Sequence, residues 1–289
     1  MWTTRRLLEW MTEHFKAKGI ESPRLVAEML LSHVLGCERM RLYMEVDRPA
    51  QPLELATLRE LVARAAQHEP AQYLVGHAWF FARQYAVTKS VLIPRPCTET
   101  LVEHVIQWCR TAPGHAEPVI ADVGTGTGCI AISLALQLKA AHLVATDVDE
   151  TALVVARRNA ADHGVADRIE FREGAGLDPL AAQPGAAYDV ICSNPPYISD
   201  DEWREVPANV KDYEPEVALR GGGDGLEVIR PTIAGAGRLL RPQGRLVVEI
   251  AHRHHGPVLE LVGAADALTN PIVLKDHEGL WRVLVAERN

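Results

Sequence analysis

Val119-Ile120-Ala121-Asp122-Val123 runs into Gly124-Thr125-Gly126-Thr127-Gly128 and then into an apolar stretch, Ile130 to Leu138. The first five residues read as a buried strand and the last stretch as a helix. The glycines between them let the backbone turn tightly and approach a ligand. A second strand, His142 to Thr146, ends at Asp147. That acid lies ~20 residues beyond the loop, the distance at which a carboxylate meets ribose hydroxyls in nucleotide-binding βαβ units.

Strands and helices go on alternating to the end of the chain, the pattern of a parallel sheet covered on both faces. Strands are expected at 119–123, 142–146, 168–172, 188–192 and 245–250. A final pair, 272–276 and 281–286, turns at Glu278-Gly279 and closes the sheet. Upstream, the first ~70 residues read as a small helical bundle. Leu7, Leu8, Met11 and Phe15 recur at helical spacing; Ser22-Pro23 opens a helix that Gly36 stops; Gln51-Pro52 opens another that runs to Gln67. Residues 71–93, with Trp79, Phe80, Phe81, Tyr85 and Val87, have hairpin character. Packing against neighbours suits these aromatics better than lining a substrate groove. Thr100-x-x-Glu103 has the spacing of a capping box.

The other informative stretch is Asn194-Pro195-Pro196-Tyr197, after the apolar run Tyr188 to Cys192. Two prolines cannot continue a sheet ladder, so the chain leaves the sheet in a stiff, extended turn. An amide side chain, bare carbonyls and a ring then stand at the carboxyl edge of a strand, where open α/β sheets place ligands. The group offers acceptors and a flat apolar surface without a strong base. It suits a planar NH2 group: an adenine, a cytosine or a carboxamide.

The glycine loop departs from both common nucleotide patterns. G-x-G-x-x-G needs a glycine where Cys129 stands, and a phosphate loop needs a lysine that is absent. The preceding Asp122 repels pyrophosphate but can serve a cationic or amine-bearing ligand. S-adenosylmethionine has a ribose, an amino acid end and a sulfonium, and no phosphate. The residues assigned to it are Asp122, Gly124, Thr125, Gly126, Thr127, Gly128, Asp147 and Asn194.

These motifs sit in a chain that resembles the bacterial glutamine N5-methyltransferases acting on peptide chain release factors, the PrmC/HemK family. The resemblance runs nearly end to end. It includes Glu69-Pro70, Tyr73 to Gly76, Leu92-Ile93-Pro94-Arg95-Pro96, Thr98-Glu99, Tyr213-Glu214-Pro215, Ala218-Leu219, Gly223-Asp224-Gly225-Leu226 and Lys275-Asp276 to Arg282-Val283. Cys97 stands where the family usually has an acid, and Gly174-Ala175-Gly176-Leu177 where it usually has an acid and bulky residues near the adenine. The resemblance implies an α/β fold: a Rossmann-like class I methyltransferase seven-stranded sheet with a helical bundle and a hairpin linker. It divides the chain into a substrate-recognition domain over 1–70, a linker over 71–94 and a methyltransferase domain over 95–289.

It also implies the substrate, the glutamine of the Gly-Gly-Gln loop in class I release factors. The catalytic residues are then Asn194, Pro195, Pro196 and Tyr197. The Asn194 side-chain oxygen and the Pro195 carbonyl accept the amide N–H bonds, Tyr197 packs near the amide, and Pro196 supplies stiffness. Glutamine methylation of a ribosomal protein and adenine N6-methylation of nucleic acid are the competing readings.

Composition sets the remaining bounds. The 289 residues carry a formal charge of −8 and are 47% hydrophobic. That suffices for a sizeable core and argues against work along bare nucleic acid. No apolar run has spanning length, and Met1 to Arg6 lacks a signal-peptide core. Five scattered cysteines read as reduced cytosolic thiols. A cytoplasmic monomer without metal is expected. His252, His254 and His255 are read as solvated turn residues, Cys97 and Cys192 as non-nucleophilic, and Ser199 to Gly225 as a substrate lid. Glu214 either braces a loop or contacts substrate.

Overall fold

The strand that opens the glycine stretch is an interior strand of a seven-stranded sheet in the computed structural model, which describes residues 1–112, 117–182 and 187–289. A separate hairpin, β1 (His77–Phe80) and β2 (Arg83–Ala86), precedes that sheet. The sheet holds β3 (Val119–Val123), β4 (His142–Asp147), β5 (Ile169–Glu173), β6 (Tyr188–Ser193), β7 (Leu240–Glu249), β8 (Leu268–Lys275) and β9 (Trp281–Arg288). Their order is β5-β4-β3-β6-β7-β9-β8. The first five in that order are parallel, and β9 runs antiparallel to both neighbours.

Every strand expected from the sequence is present. β7 begins five residues earlier than expected, at Leu240, with a register irregularity against β6 between Tyr188 and Val190. Alternation within β3 and β6 splits their side chains between two cores. Ile120, Val190 and Cys192 join helices Glu99–Thr111 and Cys129–Gln137 on one face. Ala121, Val123 and Ile191 join helices Ile229–Ala236 and His255–Gly263 on the other.

The chain divides into two compact units: Met1–His77 with Pro207–Tyr213, and Ala78–Val206 with Glu214–Asn289. The first holds helices Thr4–Ala17, Pro23–Leu35, Arg39–Met44, Pro52–Ala65 and Ala71–Val75 around Leu8, Met11, Phe15, Leu30 and Leu31. Within it the Tyr213 hydroxyl donates to the Gln67 carbonyl at 2.8 Å. So part of the stretch read as a lid belongs to the helical unit.

Three local expectations are corrected. Ser22 precedes the second helix but makes no capping bond; its backbone is left-handed, with φ of 48°. Thr100 does not open a capping box, because a 3₁₀ turn over Pro96–Thr98 leads straight into the helix at Glu99. Its hydroxyl is buried without a partner among the described residues. Residues 71–75 are helical, so the hairpin occupies only 77–86. Phe80 and Tyr85 are buried in the sheet core, as packing aromatics should be, and the Tyr85 hydroxyl meets Ser133 Oγ at 2.9 Å. Trp79 is exposed.

Candidate active site

Strand order reverses between β3 and β6: from β3 the chain goes outward to β4 and β5, then returns to β6 on the opposite side. Ligand crevices in open α/β sheets form at that reversal, beyond the carboxyl ends of the strands. A cavity of about 250 Å³ lies there. Its wall is built from the glycine loop, the end of β4, the Asn-Pro-Pro turn, and two segments, around Arg95 and around Val217.

The three loop glycines divide into two roles. All have positive φ: +73° at Gly124, +54° at Gly126 and +80° at Gly128. A Cβ at Gly124 or Gly126 would meet nothing within 4 Å, so the backbone there is open to a ligand. A Cβ at Gly128 would meet Ile132 Cδ1 at 3.0 Å and Ala156 Cβ at 3.2 Å, so this glycine serves helix packing. Gly124, Thr125, Gly126 and Thr127 line the cavity, and Gly128 stands behind the wall.

Asp147 lies on the wall at the end of β4. Its Oδ2 accepts the Gly126 N–H at 2.8 Å, and its Oδ1 the Asp149 N–H at 3.1 Å. Each carboxylate oxygen can accept a further bond. Burial raises the carboxyl pKa, and the two amides oppose the rise.

Asp122 is placed differently from its assignment. It is fully buried and off the wall. Its Oδ2 accepts the Thr125 hydroxyl at 2.6 Å and the Ala131 N–H at 3.2 Å, so it braces the loop from below. Its Oδ1 has no partner among the described residues. Desolvation pushes its pKa from 3.8 up to about 6. A raised folded-state pKa means that the native state holds the proton more tightly than the unfolded chain. Stability therefore falls as pH rises from about 4 to about 6, by on the order of 2–3 kcal/mol for a shift of this size. Asp122→Asn is expected to flatten that fall in urea midpoints measured at pH 4, 5, 6 and 7. Equal slopes in the two proteins would place the proton elsewhere.

In the Asn-Pro-Pro-Tyr turn, Asn194, Pro195 and Pro196 line the cavity. Asn194 Nδ2 donates to Thr98 Oγ1 at 3.2 Å, which leaves Oδ1 without a partner among the described residues. Tyr197 does not line the cavity; its hydroxyl donates to Glu249 Oε1 at 3.3 Å. Its ring packs against the second core of the sheet unit.

Glu214 turns out to be a brace. Its buried carboxylate accepts the Ile93 N–H at 3.1 Å and pairs with Arg95. It thereby ties together two segments that both line the cavity, one through Pro94 and Arg95 and the other through Pro215 and Val217.

Asn159 and Glu249 were not singled out from the sequence, and Thr98 entered only as part of the Thr98-Glu99 motif. Asn159 donates to the carbonyls of Ala86 (3.1 Å) and Thr127 (2.9 Å) and accepts the Ala86 N–H at 2.8 Å, so it clamps the hairpin to the glycine loop. Ala175 and Gly176 line the cavity, whereas Glu173 is exposed and off the wall. His254 is buried, not solvated, and its Nε2 lies 3.1 Å from the Asp224 carbonyl. Burial pushes the Cys97 thiol up to about 12 and the Cys192 thiol well above its ordinary value, as suits non-nucleophilic thiols.

Residues 6–76 match the PrmC N-terminal domain, and residues 97–209 match the methyltransferase small domain. The chain is 41% identical to the release factor glutamine methyltransferase of Geobacter sulfurreducens, covering 98% of this chain and 96% of that one. Its identity to the enzyme of the same name from Chlorobaculum tepidum is 40%, over 98% and 97%. The chain belongs to the release factor glutamine methyltransferase family. Among solved structures, the hMettl16 catalytic domain in complex with the MAT2A 3′UTR hairpin 1 aligns with a TM-score of 0.55 at 16% identity. That alignment covers 85% of this chain and 83% of that one, and it shows a shared fold. The full-length match places both the helical unit and the sheet unit within the family.

Proposed function

We propose that this protein transfers a methyl group from S-adenosylmethionine to the side-chain amide nitrogen, N5, of the glutamine in the Gly-Gly-Gln motif of class I release factors. One observation carries the reading. An asparagine bonded to Thr98 and the proline that follows it stand on the same cavity wall as a glycine loop and a ribose-competent carboxylate.

The residues present fit the methyl donor. Gly124 and Gly126 leave open space where side chains would intrude. Asp147 has acceptor capacity for ribose hydroxyls after its two amide bonds. Arg95, on the wall, is already paired with Glu214, so it is not a free cation for a phosphate. Val148, Ala152 and Ile130 give an apolar surface for a flat base. When bound, S-adenosylmethionine supplies an electrophilic methyl group.

A carboxamide nitrogen is a poor nucleophile because its lone pair is shared with the carbonyl. Asn194 Oδ1 and the Pro195 carbonyl accept its two N–H bonds and fix the direction of the lone pair. The same two dipoles stabilise the positive charge that grows on nitrogen before its proton leaves, a contribution made mostly in the transition state. Pro195 and Pro196 hold the acceptors rigid, so no reorganisation is needed.

The helical unit carries no residue of this chemistry. It displays Trp2, Trp10, Met40, Tyr43 and Met44 at its surface, and we assign it to recognition of the protein substrate. A single glutamine side chain offers far less surface than the ~1,600 Å² of a standard interface. The protein acts as a cytoplasmic monomer and does not need nucleic acid.

The test is labelled S-adenosylmethionine offered with purified release factor, ribosomal protein, DNA or RNA. Mass spectrometry is expected to find one added methyl on the Gly-Gly-Gln glutamine. A free Gly-Gly-Gln peptide is expected to be a much poorer substrate than the whole factor. Labelling of ribosomal protein or nucleic acid in place of the release factor would reject the reading.

A further inference from the structure

The carbonyls of Pro196 and Tyr197 lie against a second glycine-rich segment, Gly221-Gly222-Gly223-Asp224-Gly225, to which the mechanism above gives no role. A Cβ at Gly221 would stand 2.7 Å from the Pro196 oxygen and 2.7 Å from the Gly225 oxygen. One at Gly225 would stand 2.4 Å from the Tyr197 oxygen and 2.8 Å from His254 Cε1. No side chain fits at such distances, so both positions require bare backbone. Hydrogen bonds hold the segment in place. The Ile198 N–H donates to the Leu219 carbonyl at 2.9 Å, the Gly221 N–H to the Ile198 carbonyl at 2.8 Å, and the Asp200 N–H to the Gly222 carbonyl at 3.1 Å. On its other side, the buried His254, which follows the end of β7, brings Nε2 within 3.1 Å of the Asp224 carbonyl. The segment is pressed between the Asn-Pro-Pro-Tyr turn and His254.

The effect on the turn follows from its torsions. Peptide planes are rigid, and the rings of Pro195 and Pro196 lock φ at both positions. One soft torsion, ψ of Pro196, therefore separates the Pro195 carbonyl from the Pro196 carbonyl. A contact that holds the Pro196 and Tyr197 oxygens limits that torsion and with it the direction of the Pro195 oxygen. Asn194 is one further soft torsion back along the same chain. The prolines stiffen the turn but leave these torsions open, and the glycine segment closes them.

We propose that Gly221 and Gly225 are positioning residues: having no side chains, they let the backbone seat the Pro196 and Tyr197 carbonyls and so fix the acceptor pair that meets the substrate nitrogen. This rests on the proposed methyl transfer to an amide. It adds that the geometry of the pair is set by a segment outside the turn and not by the two prolines alone. The same segment carries its own controls. Gly222 has a φ of +80°, matching +81° at Gly225, but a Cβ there would first meet the carboxylate end of Glu227, which is exposed and can swing away. At Gly223 the nearest atom to a Cβ would be Glu227 Oε1 at 3.9 Å. Neither Gly221 nor Gly223 has a positive φ. Backbone strain and pressure on the turn are thus separable one residue at a time.

The test compares Gly221→Ala, Gly222→Ala, Gly223→Ala and Gly225→Ala in the full chain. A new methyl group at 221 or 225 must push the turn away, and misplacing a reacting group by about 1 Å costs on the order of a hundredfold in rate. Gly221→Ala and Gly225→Ala are expected to lower kcat about tenfold to a hundredfold, with KM for release factor and Kd for S-adenosylmethionine within about threefold of wild type. Gly222→Ala and Gly223→Ala should keep kcat within about threefold, although Gly222→Ala should lose as much urea midpoint as Gly225→Ala does to its left-handed backbone. The readout independent of turnover is the ¹⁵N side-chain NH2 signal of Asn194, identified by its loss in Asn194→Asp. It should shift in Gly221→Ala and Gly225→Ala and stay in place in the other two. An unmoved signal in both of the first pair overturns the proposal, whatever the substrate proves to be. So does wild-type kcat in both, or a kcat in Gly222→Ala as low as in Gly225→Ala, which would make strain the cause. If Gly225→Ala does not fold, Gly221→Ala, free of that strain, decides; failure of both to fold would make the glycines requirements of the fold and overturn the positioning role. A wild-type protein that methylates no glutamine, with the signals shifting as stated, would reject the assigned reaction and leave the positioning of the turn standing.

Discussion

Asn194→Ala is expected to lower kcat by about 10²–10³, equivalent to roughly 2.7–4 kcal/mol of transition-state stabilisation, by analogy with removal of one preorganised group that meets developing charge. The size follows from where the charge appears. In the ground state the glutamine amide is neutral, and water can satisfy its N–H bonds nearly as well as protein. As the nitrogen takes the methyl it becomes cationic, and a fixed oxygen dipole in a water-poor cleft is then worth much more. Kd for S-adenosylmethionine should change less than kcat, because the glycine loop and Asp147, to which most of the cofactor contacts are assigned, are tied to each other and not to Asn194. The measurement is single-turnover methylation of release factor at saturating S-adenosylmethionine, with calorimetry for the cofactor. A variant that turns over at a near-normal rate would move the acceptor role to another group.

The parts of this site that the sequence displayed are those whose causes are local. Glycines at alternate positions after Val123 have one reason to be there, a left-handed backbone beside open space, and that is their geometry at Gly124 and Gly126. Asp147 could be found by counting from the loop, because a parallel βαβ unit fixes the distance. The prolines at 195 and 196 announce that the chain leaves the sheet. What could not be read depends on partners far apart in the chain. Thr98 meets Asn194 across 96 positions, Tyr197 meets Glu249 across 52, and Glu214 reaches Ile93 across 121. No periodicity or spacing encodes such pairs. Asp122 shows the converse limit: its place in the motif was plain, but only its burial reveals that it faces Thr125 and Ala131. Short elements failed for a different reason. Helix Ala71–Val75 has too few residues to display a period, and the hairpin turns through Phe81 and Ala82, both at positive φ, without the Asn or Gly that marks such turns.

Asp147→Ala is expected to weaken S-adenosylmethionine binding by about two to three orders of magnitude. Two contributions add. A carboxylate accepting ribose hydroxyls makes charge-assisted bonds of roughly 1.5–3 kcal/mol each. The same carboxylate also holds the Gly126 N–H at 2.8 Å and the Asp149 N–H at 3.1 Å, so its loss frees the backbone on both sides of the ligand. Part of this gain is offset in the wild-type protein, since burial already disfavours the charge and ligand binding dries it further. About 2.7–4 kcal/mol is the net expectation, which is the stated range in Kd. The fold should survive, because the freed amides border a cavity that water can enter. Asp147→Asn separates the contributions. It keeps one oxygen, but its NH2 must face either a backbone N–H or a ribose hydroxyl, so it should fall between wild type and alanine. Calorimetry with S-adenosylmethionine and S-adenosylhomocysteine should show the same loss for both, since the ribose is common to them and the methyl group is not. An affinity unchanged in Asp147→Ala would place the ribose elsewhere on the wall, and a loss confined to S-adenosylmethionine would mean that the carboxylate answers the sulfonium charge.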